Sequence, residues 1–172
     1  GACLLGSINL TKFIINPFQD NANFDWIKFT EVIKIFTRML DNVVEINGLP
    51  LEKQREEIIR KRRHGAGISG LGSTLCMLKI KYGSEEAIKF TEKICKILAI
   101  ESYREGIELA KEKGPAPIML EYFDDIQGKE LISKSKYLEK FPEEIKDGIK
   151  EFGCRFTHAT SIAPVGTVSL SI

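Results

Sequence analysis

Apolar residues form extended patterns near both ends of the chain and helical patterns between them. Small, β-branched and apolar residues dominate residues 2–16, and such a run predicts a strand covered on both faces, as in parallel sheets. Residues 155–163 return to β character, and a Pro-Val-Gly-Thr turn separates them from a second β-prone segment, 168–172. Strands separated by helices predict an α/β fold. The sequence offers only three or four strands, which is few for a closed α/β sheet.

The middle of the chain follows helical spacing. Asp25 is a suitable N-cap, and apolar residues then recur every three or four positions to Val43. Ser84 opens a long segment that Gly114 closes, which predicts a helix on the order of 40 Å long. At the end of a shorter charged helix, the basic run 61–63 is interpreted as solvated. The predicted helices span residues 25–47, 51–63, 73–80, 84–113 and 142–153.

Composition narrows the functional classes. The 25 Lys and Arg residues balance 24 Asp and Glu residues to a net charge of +1, so no general attraction to nucleic-acid polymers or anionic membranes is expected. The sequence has no apolar run of membrane-spanning length and no signal-peptide pattern at Gly1. Four scattered cysteines indicate neither a disulfide scaffold nor a zinc site, so the cytoplasm is the expected compartment. The first residue is not Met and both ends are apolar, so we expect both ends to be truncated.

A glycine-rich stretch, 64–72, contains the spacing Gly65-x-Gly67-x-x-Gly70, which occurs in dinucleotide-binding turns. That motif normally follows an apolar strand, whereas here a charged helix precedes it. The preferred interpretation is a short glycine-rich strand packed against neighbouring backbone and followed by a helix.

The remaining candidate residues each have an ordinary structural explanation. A turn at 164–169 offers Thr167, Ser169 and backbone amides to a phosphate, although most such turns are only turns. The four cysteines, considered singly, are expected to be buried small hydrophobes. The two histidines are assigned no metal role, and two carboxylate pairs are interpreted as solvated charges. These residues are Cys3, Cys76, Cys95, Cys154, His64, His158, Asp124-Asp125 and Glu143-Glu144.

Three segments, taken together and in order, resemble the large catalytic subunit of ribonucleotide reductases. They are Gly-Ala-Cys-Leu-Leu-Gly-Ser-Ile-Asn-Leu at 1–10, Arg-His-Gly-Ala-Gly-Ile-Ser-Gly-Leu-Gly at 63–72 with Tyr-Gly-Ser-Glu-Glu-Ala at 82–87, and 155–171. The pattern Ile-Ala-Pro-x-Gly-Thr at 162–167 favours the adenosylcobalamin-dependent class II enzymes.

The resemblance implies a fold and an activity for the full-length protein. The family fold is a ten-stranded α/β barrel, of which residues 1–172 would be a helix-rich partial slice. The enzyme would reduce ribonucleoside di- or triphosphates with adenosylcobalamin and a thioredoxin-like or other dithiol reductant. The expected assembly of the full-length enzyme is a homodimer, and the expected compartment is the cytoplasm. The family's Asn-x-Cys-x-Glu motif, whose cysteine becomes the thiyl radical, would lie just before Gly1. We therefore expect the fragment alone to be inactive.

The resemblance also assigns roles to particular residues. Cys3 corresponds to one of two cysteines that reduce the substrate and end as a disulfide, with its partner earlier in the chain. The substrate-phosphate loop corresponds to Pro164, Val165, Gly166, Thr167, Val168 and Ser169. Two positions depart from the family pattern: Leu4 replaces an Asn, and Val165 replaces a Thr and so removes one hydroxyl. No residue is assigned to a metal.

Two alternatives stay open at this point. One is the class I large subunit, which depends on iron or manganese, and the other is a non-catalytic nucleotide-binding or interaction domain. An Asn-x-Cys-x-Glu motif in the sequence upstream of Gly1 would favour either enzyme over the non-catalytic domain.

Overall fold

The computed structural model describes residues 3–123 and 135–171, so the predicted pair Asp124-Asp125 lies outside the described residues. The α-helices are Trp26–Ile46 (α1), Glu52–Lys61 (α2), Leu71–Met77 (α3), Glu85–Lys113 (α4), Pro117–Phe123 (α5) and Glu143–Phe152 (α6). The strands are Leu4–Asn9 (β1), Ile14–Ile15 (β2), Asn23–Phe24 (β3) and His64–Ser69 (β4), and 3₁₀ turns span Leu10–Phe13, Leu138–Lys140 and Val168–Ser171. Among the described helices, none combines the length and hydropathy that a bilayer crossing requires.

A parallel pair of strands, β1 and β4, forms the centre of the fold. Leu4 lies opposite His64, and the register continues to Asn9 opposite Ser69. A third segment runs beside β4 and pairs in parallel with it at a single bridge, between Thr160 and Ala66. The α/β prediction is confirmed, although the strands within the described residues do not close a barrel.

The predicted helix ends agree with the structure where capping residues mark them. The Asp25 carboxylate accepts a hydrogen bond from the Lys28 amide at 2.9 Å, and the Ser84 hydroxyl accepts one from the Ala87 amide at 3.2 Å. Helix α4 ends at Gly114, whose φ of +84° is easily adopted only by glycine. With 29 residues, α4 is on the order of 40 Å long, as expected.

The extended predictions near both ends are partly wrong. Residues 2–16 do not form one strand, because the Asn9 side chain accepts a hydrogen bond from the Thr11 amide and starts a 3₁₀ turn. In the predicted strand 155–163 only Thr160 pairs as a strand residue. The β-prone end forms the exposed 3₁₀ turn Val168–Ser171, which has no neighbouring strand among the described residues to pair with.

The prediction of a solvated basic run at 61–63 is wrong for its central residue. Helix α2 ends at Lys61, and Arg62 follows in the left-handed conformation, with a φ of +47°. Its side chain is only 2% exposed because it points inward to the buried carboxylate of Asp41. Charge density along the sequence indicates an exposed end, but the left-handed cap turns this one side chain into the core.

The core consists of two adjoining groups of buried side chains. The first lies between the β1–β4 sheet and helices α1 and α4, and it contains Ile8, Leu10, Phe13, Phe24, Phe29, Ile33, Leu40, Ala66, Ile68, Ile94 and Leu98. The second lies between the later half of α4, helix α6 and segment 154–159, and it contains Tyr103, Ile107, Leu138, Phe141, Ile145, Ile149, Cys154, Phe156 and Ala159.

Gly106 lets helix α4 approach the second core group closely. A Cβ atom at this position would lie 2.6 Å from Cys154 Sγ and 2.6 Å from the ring of Phe156, both of which are fully buried. We expect Gly106→Ala to lower the free energy of unfolding by about 2 kcal/mol, because overpacking outweighs the gain in helix propensity. Gly72→Ala is the matched control, since, apart from its chain neighbours and the backbone of its own helix, no atom lies within 4 Å of its Cβ position in α3. Urea denaturation checks both, and equal stability of the two variants would contradict the packing argument.

Candidate functional site

The two faces of the β1–β4 sheet have different surroundings. On one face, a Cβ atom at Gly6 would lie 2.6 Å from the ring of Phe36, so helix α1 packs directly on that face. The opposite face carries Cys3, which is exposed, and Leu5, which is 56% exposed. We call this opposite face the open face, formed by Cys3, Leu5, Ser7, Gly65, Gly67 and Ser161.

The two glycines of β4 allow the groups of the open face to come together. A Cβ atom at Gly65 would lie 2.1 Å from Leu5 Cδ2, 3.1 Å from Ser161 Cβ and 3.5 Å from Cys3 Sγ. A Cβ atom at Gly67 would lie 2.6 Å from the carbonyl oxygen of Ser161. The interpretation of 64–72 as a glycine-rich strand against neighbouring backbone is therefore confirmed. The first two glycines of the dinucleotide-type spacing lie within a strand, not in a strand-to-helix turn.

Cys3 lies directly before β1, beside Gly65. Desolvation raises the pKa of its thiol, and the positive charge of Arg63 opposes that rise. A raised pKa favours the protonated thiol, which can donate hydrogen, over the thiolate, which is the nucleophile of disulfide exchange. Cys3 is thus an accessible thiol on the open face.

The other cysteines differ in burial. Cys154 is fully buried, as expected, and burial raises its thiol pKa to about 12. Cys95 is half-buried, and Cys76 is exposed on α3. The expectation of a buried cysteine is therefore wrong for Cys76, because a position within a helix does not determine which way the side chain faces.

The predicted phosphate loop, 164–169, is mostly exposed and begins three residues after Ser161. Val165 has a φ of +46°, which is unusual for a β-branched residue. The Ser169 amide donates to the Val165 carbonyl oxygen at 2.9 Å, and the Ser169 hydroxyl donates to the Gly166 carbonyl oxygen at 2.7 Å. Cys3 and Ser161 thus both lie close to Gly65, and Ser161, three residues before the loop, marks its root. The loop itself is held by hydrogen bonds between its own residues.

A group of charged side chains, which we call the buried ion cluster, lies on the helix-covered side of the sheet. Its members are Asp41, Glu45, Arg62 and Arg155. Arg62 donates to Asp41 Oδ1 from Nη2 at 2.7 Å and from Nε at 2.9 Å, while Arg155 Nε donates to Asp41 Oδ2 at 3.2 Å. Glu45 Oε1 lies 2.8 Å from Nη2 of each arginine. Sequence reasoning missed this cluster, although Asp41 stands on the same helical stripe as the buried Ile33 and Thr37.

His64 adjoins the buried ion cluster without a hydrogen bond from either ring nitrogen to any described residue. Its ring stacks 4.3 Å from that of Phe156, and its Nε2 atom lies 3.9 Å from Asp41 Oδ1. Burial lowers the pKa of His64 to about 4; the two arginines also lower it, while Asp41 opposes the shift. The imidazole is therefore neutral at physiological pH.

We expect His64 to make the stability of the fold depend on pH. As the pH falls below about 6.5, the unfolded state binds the His64 proton first, so the free energy of unfolding drops until about pH 4. The loss attributable to this residue reaches about 3 kcal/mol. Urea denaturation from pH 7 to pH 4 should show a weaker dependence in His64→Gln than in the wild type. The comparison variant is His158→Gln, which should change the dependence less, because desolvation also lowers the pKa of this exposed residue but without the large shift of the buried His64. An unchanged slope in His64→Gln would contradict this assignment.

Among the surface cavities formed by the described residues are four of about 380 to 590 Å³. Two of them lie along α4, on either side of Cys95. Another lies between α2 and α5, and the last lies beside residues 157–160. None of these four is lined by Cys3 or by the loop 164–169. Within 3–123 and 135–171, no three His, Cys, Asp or Glu side chains are grouped so that they could hold a metal ion.

Comparison with known proteins gives a consistent match. The whole chain, residues 1–172, matches the family described as "Ribonucleotide reductase, barrel domain". A ribonucleoside-diphosphate reductase subunit alpha of Chlamydia muridarum is 30% identical over 181 residues, covering 97% of this chain and 17% of the relative. A vitamin B12-dependent ribonucleoside-diphosphate reductase of Thermoplasma acidophilum is 31% identical over 169 residues, covering 98% and 18%.

A viral relative matches a shorter stretch. The ribonucleoside-diphosphate reductase large subunit of an African swine fever virus isolate is 38% identical over 117 residues, covering 68% of this chain and 14% of the relative. The chain thus spans less than a fifth of the length of each of these three relatives.

Proposed function

Since this chain belongs to the ribonucleotide reductase barrel-domain family, we propose that it forms part of the catalytic barrel of an enzyme that reduces ribonucleoside diphosphates to 2′-deoxyribonucleotides. The observation that carries the proposal is the placement of Cys3. Its thiol lies on the open face, and both Cys3 Sγ and Ser161 Cβ lie close to Gly65, near the root of the predicted phosphate loop. This arrangement supports a surface that would present both a reductant and a route to the substrate's phosphates.

The proposed role of Cys3 follows from the electron balance of the reaction. Replacing the 2′-hydroxyl by hydrogen requires two electrons and releases water. Two thiols supply the electrons and two hydrogens and end as a disulfide, so Cys3 needs a second thiol from outside this chain. An external dithiol, of the thioredoxin type, then restores both thiols by exchange. The exposure of Cys3 is consistent with access for such a reductant.

The proposed phosphate site is the loop 164–169. Val165 is left-handed, and such a residue is a component of the backbone concavities in which consecutive amides bind an anion. The Ser169 hydroxyl hydrogen already bonds within the loop, so backbone amides and the Thr167 hydroxyl are the proposed donors. Val165 offers no hydroxyl, so its contribution is confined to its backbone.

The proposed cofactor is adenosylcobalamin, because relatives from two organisms are named vitamin B12-dependent. When bound, it would supply the initiating radical by homolysis. None of the four cavities described above is lined by Cys3. We therefore assign no residue of this chain to the cofactor.

A reductase assay on the full-length protein tests the proposal. With a ribonucleoside diphosphate and dithiothreitol, we expect deoxynucleotide formation that depends on adenosylcobalamin. The name "subunit alpha" of the chlamydial relative supports a second candidate, a reductase that needs a separate radical-generating subunit. Turnover only after addition of such a subunit would establish that candidate. Nucleotide binding without turnover under both conditions would refute the enzymatic proposal.

A further inference from the structure

The segment that leads into the predicted phosphate loop is anchored through the side chain of Arg155. Besides its bonds to Asp41 and Glu45 on α1, Arg155 Nη1 donates to the carbonyl oxygens of Lys113 and Gly114, both at 3.0 Å. These acceptors lie on α1 and at the C-terminal end of α4. One guanidinium therefore holds the segment against two helices at once.

Arg62 connects the same carboxylates to strand β4. It contacts Asp41 Oδ1 and Glu45 Oε1, and it stands two residues before the first residue of β4. The two arginines face the two carboxylates, Lys113 Nζ adds a further positive charge 3.8 Å from Asp41 Oδ2, and every member of the cluster except Glu45 is buried. The strand and the neighbouring segment are thus aligned to one shared pair of carboxylates.

A series of backbone hydrogen bonds connects segment 157–161, which leads from Arg155 to the root of the loop, to residues 61–66. The Thr157 amide donates to the Lys61 carbonyl oxygen at 3.1 Å, and the His64 amide donates to the His158 carbonyl oxygen at 2.8 Å. The Ser161 amide donates to the Ala66 carbonyl oxygen at 3.0 Å. The hydrogen bonds described above for the loop itself are internal. The position of the loop is therefore determined at its root.

We propose that Arg155 is a positioning residue for the phosphate loop, acting through the buried ion cluster and segment 155–161, and this rests on the proposed function of that loop. Arginine is required because its planar group satisfies acceptors in several directions at once. Lysine retains the charge but cannot reach Asp41, Glu45 and the end of α4 together. Phosphate binding contributes equally to the ground state and the transition state, so a displaced loop raises KM and leaves kcat nearly unchanged.

The experiment uses the full-length reductase and compares Arg155→Lys with Arg104→Lys. Arg104 is a matched control because it is also ion-paired, with Glu101 and Glu144, but lies on the surface of α4. A ribonucleoside diphosphate, CDP, is the probe. We expect Arg155→Lys to raise the KM for CDP about ten- to a hundredfold, the range expected for a small displacement of a binding group. Arg104→Lys should leave the KM unchanged.

Two further measurements separate positioning from general destabilisation. Glu45→Gln weakens the hold on Arg155 through a half-exposed residue, so it is expected to fold and to raise the KM by a smaller factor. The alkylation rate of Cys3 by iodoacetamide reports on the open face and should stay within twofold of the wild-type rate in both variants. The proposal would be overturned if the KM for CDP stayed unchanged in both variants. It would also be overturned if kcat fell and the alkylation rate of Cys3 rose in proportion to the loss of stability. A wild-type enzyme that fails to bind CDP would instead refute the proposed function.

Discussion

Replacement of Asp41 by alanine is expected to lower the free energy of unfolding by about 3–5 kcal/mol. Asp41 is fully buried, and its two oxygens accept hydrogen bonds from Arg62 and Arg155. Without the carboxylate, two guanidinium groups stay in the core with only the half-exposed Glu45 to neutralise them. Removing one partner of a buried ion pair is costly because the remaining charge is neither solvated nor compensated.

Urea denaturation of the chain at neutral pH measures this effect. Asp20→Ala is the matched control, because Asp20 also pairs with a cation, Lys79 at 2.6 Å, but is fully exposed to solvent. Exposed ion pairs contribute little to stability, so no measurable change is expected for the control. Asp41→Asn should fall between the two, since the amide oxygen still accepts one hydrogen bond but carries no charge. Equal stability of the Asp41 and Asp20 variants would show that water reaches the cluster.

The buried ion cluster also shows where sequence reasoning stopped. The α/β class, the bounds of α4 and the cap at Asp25 were predictable because they depend on residues close in sequence. The partners of Asp41 are 21 and 114 positions away, and a basic run such as 61–63 carries no local sign that one of its side chains is buried. Arg62 adopts the left-handed conformation at the end of α2, where its backbone amide donates to the Ile58 carbonyl oxygen, and the distant contacts then hold its side chain in the core.

The candidate site was predictable to a different degree. The resemblance proposes Cys3 and the loop 164–169 as site residues, which stays a prediction, and local glycine spacing correctly indicated a strand at β4. Ser7, Ser161 and the open face were not predictable, because a sequence does not show which strand neighbours which, or which face a helix covers. The 3₁₀ turn at Val168–Ser171 was missed because β-prone residues form a strand only where a neighbouring strand is present to pair with them. Sequence propensity does not show whether such a strand is present.

Replacement of Cys3 by serine is expected to have the largest effect on activity. In the full-length protein, assayed with dithiothreitol for the proposed reductase activity, turnover of CDP should fall on the order of a thousandfold or more, as for residues that act as one catalytic unit. A serine hydroxyl has nearly the same shape as the thiol, so binding of CDP should change little. It cannot form a disulfide, so the second thiol has no partner with which to release two electrons.

Cys76→Ser is the matched control for this variant. Cys76 is also exposed, but it lies on α3 and not on the open face, so its replacement should leave turnover unchanged. Thiol titration after reaction without added reductant gives an independent measurement. The wild-type enzyme should lose two thiols for each deoxynucleotide formed, and Cys3→Ser should lose none. Steady-state turnover by Cys3→Ser at the wild-type rate would remove the redox role from Cys3. Because the open face would then carry no reductant of its own, the two electrons would have to come from thiols elsewhere in the full-length protein.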